Sequence, residues 1–324
     1  MGWLLCSRSH PQEEILDANA VVIRQPRNID FDLLALNDPG PADLVVDVAY
    51  SGISTGTERL FWSGEMPDFP GMGYPLVPGY ESAGKVVEAG PEHRDKIGSF
   101  VFVPGANCFG AVRGLFGATA SRLVVPAARV VPVAESMGER AVLLALAATA
   151  FHVTANGAAQ PDLIVGHGVV GRLLARIAVL AGAAPIVWET NPARRAGADN
   201  YTVIAPEDDP RRDYKTIIDA SGDNQILDKL VQRLAPGGEI VLAGFYNQLG
   251  FAFAPAFMRE AKFRIAAQWQ PADIQNVLAL VNAGKLSLKN LITHHAAPAH
   301  ANEAYRTAFE TSACLKMIID WSSL

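Results

Sequence analysis

A glycine-punctuated turn between a strand and a helix constrains this chain more than any other feature. The run "LIVGHGVVGRLLARIAVLAG" holds Gly166, Gly168 and Gly171 in a G-x-G-x-x-G arrangement. Alone, that pattern is weak. Here it follows a buried apolar strand and opens a helix closed by Gly182, the context of a dinucleotide-binding βαβ unit. Gly166 permits the tight turn. Gly168 lets the backbone approach a pyrophosphate, and Gly171 lets the helix pack on the strand. His167, Val169 and Val170 complete the turn, and the helix N-terminus faces the anion. His167 reads as a loop residue near the phosphates rather than a catalyst.

Such a unit needs an acidic residue at the end of its second strand, about 20 residues further on. "IVWET" supplies Glu189, placed to accept hydrogen bonds from a ribose 2′-hydroxyl. A carboxylate there repels a 2′-phosphate, so NAD is favoured over NADP. Arg194 and Arg195 follow closely and act against that preference. Later strands and helices alternate: "TIIDASG", the helix "NQILDKLVQRLAPGG" closing at Gly237, "EIVLAGF", and "KFRIAAQW" as the last strand. Alternation of this kind implies a parallel, right-handed sheet.

The rest of the chain has a different texture. Before residue 139, short β-branched runs such as "DLVVDVAYSGIS" and "GKVVEAG" alternate with Gly/Pro turns, reading as an irregular, mostly antiparallel β domain. "ERAVLLALAATAFHVTAN" then has helical spacing. After Pro271, two helices and the strand "CLKMIIDW" cannot bury a core alone, so the tail is expected to return to the first domain. The expected division is 1–142 with 271–324 as one unit and 143–270 as the other. With 324 residues, half of them hydrophobic, two cores are affordable.

The net charge of −6 and a pI near 5.7 argue against nucleic acid as a partner. Cys6, Cys108 and Cys314 lie far apart and match no zinc spacing, which fits a reduced cytoplasmic chain. The apolar run 141–153 is too short to span a bilayer, so no stable membrane insertion is expected. Residues 1–16 lack a basic start and read as a poorly ordered extension rather than a signal peptide.

The order of units, with "SGISTGTERLFWSG", "YPLVPGYESAGKVVEAG", "GHGVVG", "DASG", "LAPGGEIVLAGF" and "LITHHAAP", resembles the medium-chain dehydrogenase/reductase superfamily. The resemblance covers nearly the whole chain after the N-terminal extension. It implies a GroES-like catalytic domain beside a Rossmann dinucleotide-binding domain, hence an α/β enzyme using NAD. "DLVVDVAYSGISTGTERLFWSGEMPDFPGMGYPLVPGYES", "VFVPGANCFGAVRGLFG" and "AFMREAKFRIAAQW" are similar to the members serving bacteriochlorophyll synthesis. The implied reaction is oxidation of the 3-(1-hydroxyethyl) group of a (bacterio)chlorophyllide to acetyl. A homodimer through the last strand of the nucleotide unit is also an expectation of the resemblance.

Zinc members of the superfamily carry a Cys after a Gly-Ile pair and a His before a Glu. Those positions hold Ser54 and Tyr80, and no ligand stands within 147–149. Hydroxyls are poor Zn²⁺ ligands beside thiolate and imidazole, so no metal is expected. Glu81 becomes a buried structural carboxylate. Without zinc, the reacting oxygen needs a hydrogen-bond donor or base in the same place. Tyr80 is the first choice, with Ser54 and Thr57 beside it and Thr55 nearby. A phenol titrates near 10, so a positive neighbour would have to lower it.

His152, His294 and His295 read as structural or interdomain residues. A chlorin carries a propionate, for which Arg59 and Arg113 are the cationic anchors. The segment "LFWSGEMPDFPGMGYP" offers Trp62, Phe69 and Tyr74, with Phe61, Met66 and Met72, to a flat apolar ligand. By resemblance, Ser221 lies near the adenosine, Gly244 and Phe245 near the nicotinamide carboxamide, and Thr149 against the nicotinamide. The other readings open at this point are a zinc-free NAD(P)H quinone or enoyl reductase and a non-catalytic dinucleotide- or pigment-binding protein.

Overall fold

The computed structural model describes residues 16–68, 71–114, 116–155, 158–246 and 248–324. The N-terminal extension with Cys6, and Phe69, lie outside the described residues.

Strands β1 (Asp17–Gln25) and β2 (Asn28–Ala35) make an antiparallel hairpin. Next come β3 (Asp43–Ile53), helix α1 (Thr57–Ser63), β4 (Ser82–Ala89), β5 (Phe100–Val103), β6 (Arg122–Pro126) and β7 (Val131–Pro132). Helix α2 (Leu144–Thr154) leads to β8 (Leu163–Val165), α3 (Val169–Leu180), β9 (Ile186–Trp188), β10 (Thr202–Ile204) and β11 (Tyr214–Asp219). Then follow α4 (Leu227–Arg233), β12 (Leu234–Leu242), α5 (Phe253–Met258), β13 (Lys262–Ile265) and α6 (Pro271–Asn282). Strand β14 (His294–Ala296), α7 (Ala301–Glu310) and β15 (Met317–Asp320) close the chain.

β3 is the spine of the first sheet. Its β-branched run "DLVVDVAYSGI" is buried over most of its length, and it pairs antiparallel with β4, β6 and β15. The full order is β14-β15-β3-β4-β5-β7, with β6 also on β3. The tail thus returns to the first sheet, as its pattern predicts. α6 does not go with it. Ile274, Val277 and Leu278 join α2 and α3 in one core, and the Arg176 guanidinium on α3 donates to the Ser287 and Lys289 carbonyls at 2.7 and 3.1 Å. The division expected at residue 271 therefore parts α6 from the helices it packs on.

The second sheet is parallel throughout, in the order β10-β9-β8-β11-β12-β13. The strand order reverses between β8 and β11, and a crevice opens at such a switch point. β8 ends at Val165 opposite Asp219, so the glycine turn 166–171 starts at that crevice. Two details depart from the sequence pattern. α4 stops at Arg233 instead of running to Gly237, because Pro236 lacks an N–H and disfavours helix in the residue before it. β9 and β10 are joined without an α-helix, through a single 3₁₀ turn at Pro192–Arg194. Among the described residues, no helix is long and apolar enough to cross a membrane.

Candidate active site

Ser54 follows the end of β3 and Tyr80 stands just before β4. Because these strands pair with Ser51 opposite Ser82, the two hydroxyls meet. Ser54 Oγ and Tyr80 OH share a hydrogen bond, and Thr57 stands nearby as the first residue of α1. Ser54 is buried, Tyr80 and Thr57 are half-buried, and Thr55 is exposed. The turn before Tyr80 needs its glycine: Gly79 has φ +98°, and a Cβ there would lie 2.1 Å from Thr119 Oγ1. Phe116, itself left-handed at φ 68°, sets its ring edge-on to Tyr80 at 5.1 Å.

Beneath the hydroxyls lies a buried charged layer. Glu81 Oε2 pairs with the Lys316 ammonium, which also donates to the Ile53 carbonyl at 2.9 Å. Glu81 Oε1 is buried without a partner among the described residues. Gly52 makes the pair fit, since a Cβ there would lie 2.6 Å from Glu81 Oε2. Glu58, in the first turn of α1, accepts the Ser54 N–H at 3.1 Å and the Tyr305 hydroxyl at 2.8 Å. Burial, then the nearby Glu81, push the Glu58 carboxyl up to about 7. Burial raises Glu81 too, against the pull of Lys316. Tyr80 moves the same way: burial and Glu81 raise its phenol. The sequence calls for a cation to lower that phenol, but the charge beside it is a carboxylate. The phenol is thus pushed away from ionising, and either hydroxyl can be the donor in its bond with Ser54.

At the other end, the glycine turn has the shape a pyrophosphate requires. Gly166 has φ +96°. A Cβ on Gly171 would lie 1.8 Å from the Gly166 carbonyl oxygen, whereas a Cβ on Gly168 would meet nothing within 4 Å. The open face in front of Gly168, at the N-terminus of a 12-residue helix, suits an anion. Val169 is buried and Val170 half-buried. His167 is fully buried, with Nδ1 2.6 Å from the Arg194 carbonyl and Nε2 2.8 Å from the Tyr201 hydroxyl. Both Glu189 oxygens accept backbone N–H groups, from His167 at 3.1 Å and Asn191 at 2.8 Å. Exposed Ser221 donates its hydroxyl to Asp219 at 2.7 Å, and the Tyr246 hydroxyl takes the other Asp219 oxygen at 2.6 Å. Tyr246 also covers Gly244, while Phe245 is exposed. The Thr149 hydroxyl turns back to the Ala145 carbonyl at 2.9 Å.

A relative from Rhodobacter capsulatus, "2-desacetyl-2-hydroxyethyl bacteriochlorophyllide A dehydrogenase", is 58% identical over 94% of this chain and 99% of its own. The chain belongs to the medium-chain dehydrogenase/reductase superfamily. The Cereibacter sphaeroides protein of the same name is 56% identical over 93% of this chain and 98% of its own. The family model "Alcohol dehydrogenase GroES-like domain" matches residues 40–135. Among solved structures, the short chain alcohol dehydrogenase rspB from E. coli CFT073, complexed with cofactor NADH, superposes with a TM-score of 0.77. It has 21% identity and covers 94% of this chain and 99% of that one. The chain is accordingly an oxidoreductase with a GroES-like unit beside a parallel Rossmann sheet.

Other singled-out residues are placed as follows. Arg59 is exposed on α1. Arg113 is exposed and donates to the Tyr74 carbonyl at 3.2 Å. Trp62 is buried against Phe309 with Arg27 over its ring, and Phe61 and Met66 are buried too. The aromatic segment begins as α1, not as a loop, and these side chains face the core. The half-buried Tyr74 donates its hydroxyl to the Phe61 carbonyl at 2.5 Å. His152 Nδ1 lies 2.8 Å from Asp273, which caps α6 by accepting the Gln270 N–H, so the ring ties α2 to α6. His295 pairs with Glu139 at 2.6 Å, and His294 bonds the Thr293 hydroxyl. Among the described residues, no group of three or more His, Cys, Asp or Glu is placed to hold a metal ion.

Sequence reasoning missed Lys316, Tyr305, Arg172 and Tyr201. Two of them carry a visible signal. Lys316 interrupts an apolar strand in "CLKMIID", and Arg172 and Arg176 sit one turn apart in the otherwise apolar "GRLLARIAVLAG". Charges in such places are buried only with partners.

Proposed function

We propose that this chain oxidises the 3-(1-hydroxyethyl) group of a (bacterio)chlorophyllide to acetyl, using NAD and no zinc. The observation that carries the substrate is the 58% identity, over nearly the full length of both chains, to a dehydrogenase named for that hydroxyethyl pigment. Ser54 and Tyr80 support the zinc-free reading, because the positions that hold a thiolate and an imidazole in zinc relatives hold two hydroxyls in contact. The fixed Glu189 carboxylate supports NAD over NADP.

When bound, the coenzyme accepts the hydride that leaves the carbinol carbon. The chain handles the proton. The Ser54 hydroxyl binds the reacting oxygen, with the Tyr80 phenol bonded behind it and Thr57 beside them. The alcohol passes its proton to Ser54 Oγ as the Ser54 proton passes to Tyr80 and the Tyr80 proton leaves to water, so both hydroxyls end the step protonated. Donors aimed at a developing alkoxide in a buried site are worth far more than in water. Arg59 and Arg113, both exposed, anchor the propionate, and Tyr74 belongs to the pigment side. Gly166 to Gly171 hold the pyrophosphate, with Ser221, Gly244, Phe245 and Thr149 along the remainder of the coenzyme.

A homodimer fits the outer edge of the parallel sheet. Among the described residues β13 is an unpaired edge there, Ile265 on it is 79% exposed, and Phe253, Phe257 and Met258 on α5 are exposed too. An apolar edge of that kind invites a second copy. Sedimentation equilibrium reads a dimer if so, and a monomer at all concentrations removes the reading.

The decisive assay incubates the protein with the hydroxyethyl chlorin and NAD⁺ or NADP⁺, following the pigment's red shift and NADH absorbance together. Turnover with NAD⁺ supports the proposal. Quinone reduction by NADPH without pigment turnover would replace it with a reductase, and coenzyme binding without turnover would make the chain a carrier.

A further inference from the structure

The connection from β9 to β10 is unusual in what holds it. With no α-helix there, its peptide groups need other partners. Arg172, one turn into α3 and only 7% exposed, supplies them. Its guanidinium donates to the carbonyls of Arg194, Ala196 and Gly197 at 3.0, 2.9 and 3.4 Å, and to the His167 carbonyl at 3.1 Å. Gly197 is required, since its φ is +85° and a Cβ would lie 2.4 Å from the guanidinium. His167 grips the same loop. A carbonyl only accepts, so Nδ1 carries the hydrogen toward Arg194, and Nε2 accepts from Tyr201.

The consequence falls on Glu189. Its two oxygens bind the N–H groups of His167 and Asn191, the residues at the two ends of this clasp. The carboxylate therefore cannot swing away from an incoming 2′-phosphate. The neighbouring arginines are committed as well. Arg194 donates to the Ser312 and Cys314 carbonyls at 2.7 and 3.2 Å, and Arg195 donates to the Glu189 and Thr190 carbonyls at 2.8 and 3.1 Å. The two residues that act against NAD selectivity in the sequence are thus turned elsewhere.

We propose that Arg172 and His167, with Tyr201, are positioning residues for coenzyme selectivity: they lock the 190–197 loop so that Glu189 stays fixed and Arg194 and Arg195 stay unavailable to a phosphate. This rests on the NAD reading above and adds how that preference is enforced. Specificity gained by holding a repulsive group in place is lost when the group is free to move.

The test measures NADH and NADPH dissociation constants by fluorescence for wild type, Arg172→Met and Tyr201→Phe. Hydrogen exchange of the loop amides is followed in the same three proteins without coenzyme. Wild type should bind NADH more tightly. Arg172→Met, which removes several charge-assisted bonds, should speed loop exchange and narrow the NADH/NADPH ratio by about tenfold. Its effect in turnover should fall on coenzyme KM rather than on kcat. Tyr201→Phe should act in the same direction by a smaller factor, and it decides the matter if the arginine variant does not fold. A selective wild type whose ratio persists in the variants overturns the clasp and leaves the NAD reading intact. A wild type that binds both coenzymes equally overturns the NAD reading, and the clasp's selectivity role with it.

Discussion

Two buried glutamates mark the two ends of this molecule, and they are held in opposite ways. Glu189, at the coenzyme end, has each oxygen on a backbone N–H. Glu81, under the reacting hydroxyls, has one oxygen on the Lys316 ammonium and the other on nothing among the described residues. The first is held by main chain whose course the Arg172 and His167 side chains fix. The second depends on one cation from the far end of the sequence. Loss of a side-chain partner should therefore cost the reaction end stability and the coenzyme end selectivity.

Lys316→Met gives the largest expected effect. Removing one partner of a buried ion pair costs about 3–5 kcal/mol, because the other charge is left uncompensated. Urea unfolding should show that loss, and a change below about 1 kcal/mol would mean that Glu81 is already neutral in the folded protein.

The matching backbone change is Gly171→Ala. Its Cβ would press to 1.8 Å from the Gly166 carbonyl oxygen, so the turn must open. Calorimetric titration should find NADH binding weakened by about a hundredfold, or about 2.7 kcal/mol. Unchanged affinity would remove the glycine turn from the coenzyme site. Tyr80→Phe comes next. It should lower kcat at least about tenfold if the phenol takes part in proton transfer, and wild-type turnover would reject that role.

The smallest effects are those of pH, and they have opposite signs at the two ends. Folding raises the Glu58 carboxyl from its ordinary 4.5 to about 7. Between those values the folded chain holds the extra proton, so this contribution is present in acid and is lost as pH rises through about 7. Burial lowers His167 from 6.5 to about 4, helped by the charge of Arg172. There the unfolded chain holds the extra proton, and the contribution is lost as pH falls from 6.5 toward 4. Melting temperatures should show Glu58→Gln gaining on wild type as pH rises from about 5 to about 8. His167→Asn should gain on wild type as pH falls below about 6. Parallel curves for either pair would show that the residue does not titrate differently on folding.

The coenzyme end was legible because its chemistry is local. Gly166, Gly168, Gly171 and Glu189 lie within 24 consecutive residues, and each needs only its own backbone geometry to be understood. The parallel sheet is read from the alternation of strands and helices, and the return of "CLKMIIDW" to the first sheet from a tail that cannot bury a core alone. The reaction end was half legible. Ser54 and Tyr80 stand out because they fill the positions that zinc relatives give to Cys and His, but Glu58 meets Tyr305 across 247 positions of sequence and Glu81 meets Lys316 across 235, and nothing local announces such contacts. Trp62 shows the converse failure. An aromatic in a Gly/Pro-rich stretch reads as ligand-facing until the helix that carries it turns it inward. The missing helix between β9 and β10 was illegible because a guanidinium on another element replaces its hydrogen bonds.

The claim at the centre is that hydroxyl groups do at the reaction end what a metal does in zinc relatives. Elemental analysis of freshly purified, active enzyme, repeated after dialysis against a strong chelator with pigment turnover measured on the same samples, tests it most directly. Zinc far below one atom per chain, with turnover unchanged by the chelator, is the expected result. One zinc per chain, lost together with activity and restored with it, would contradict it.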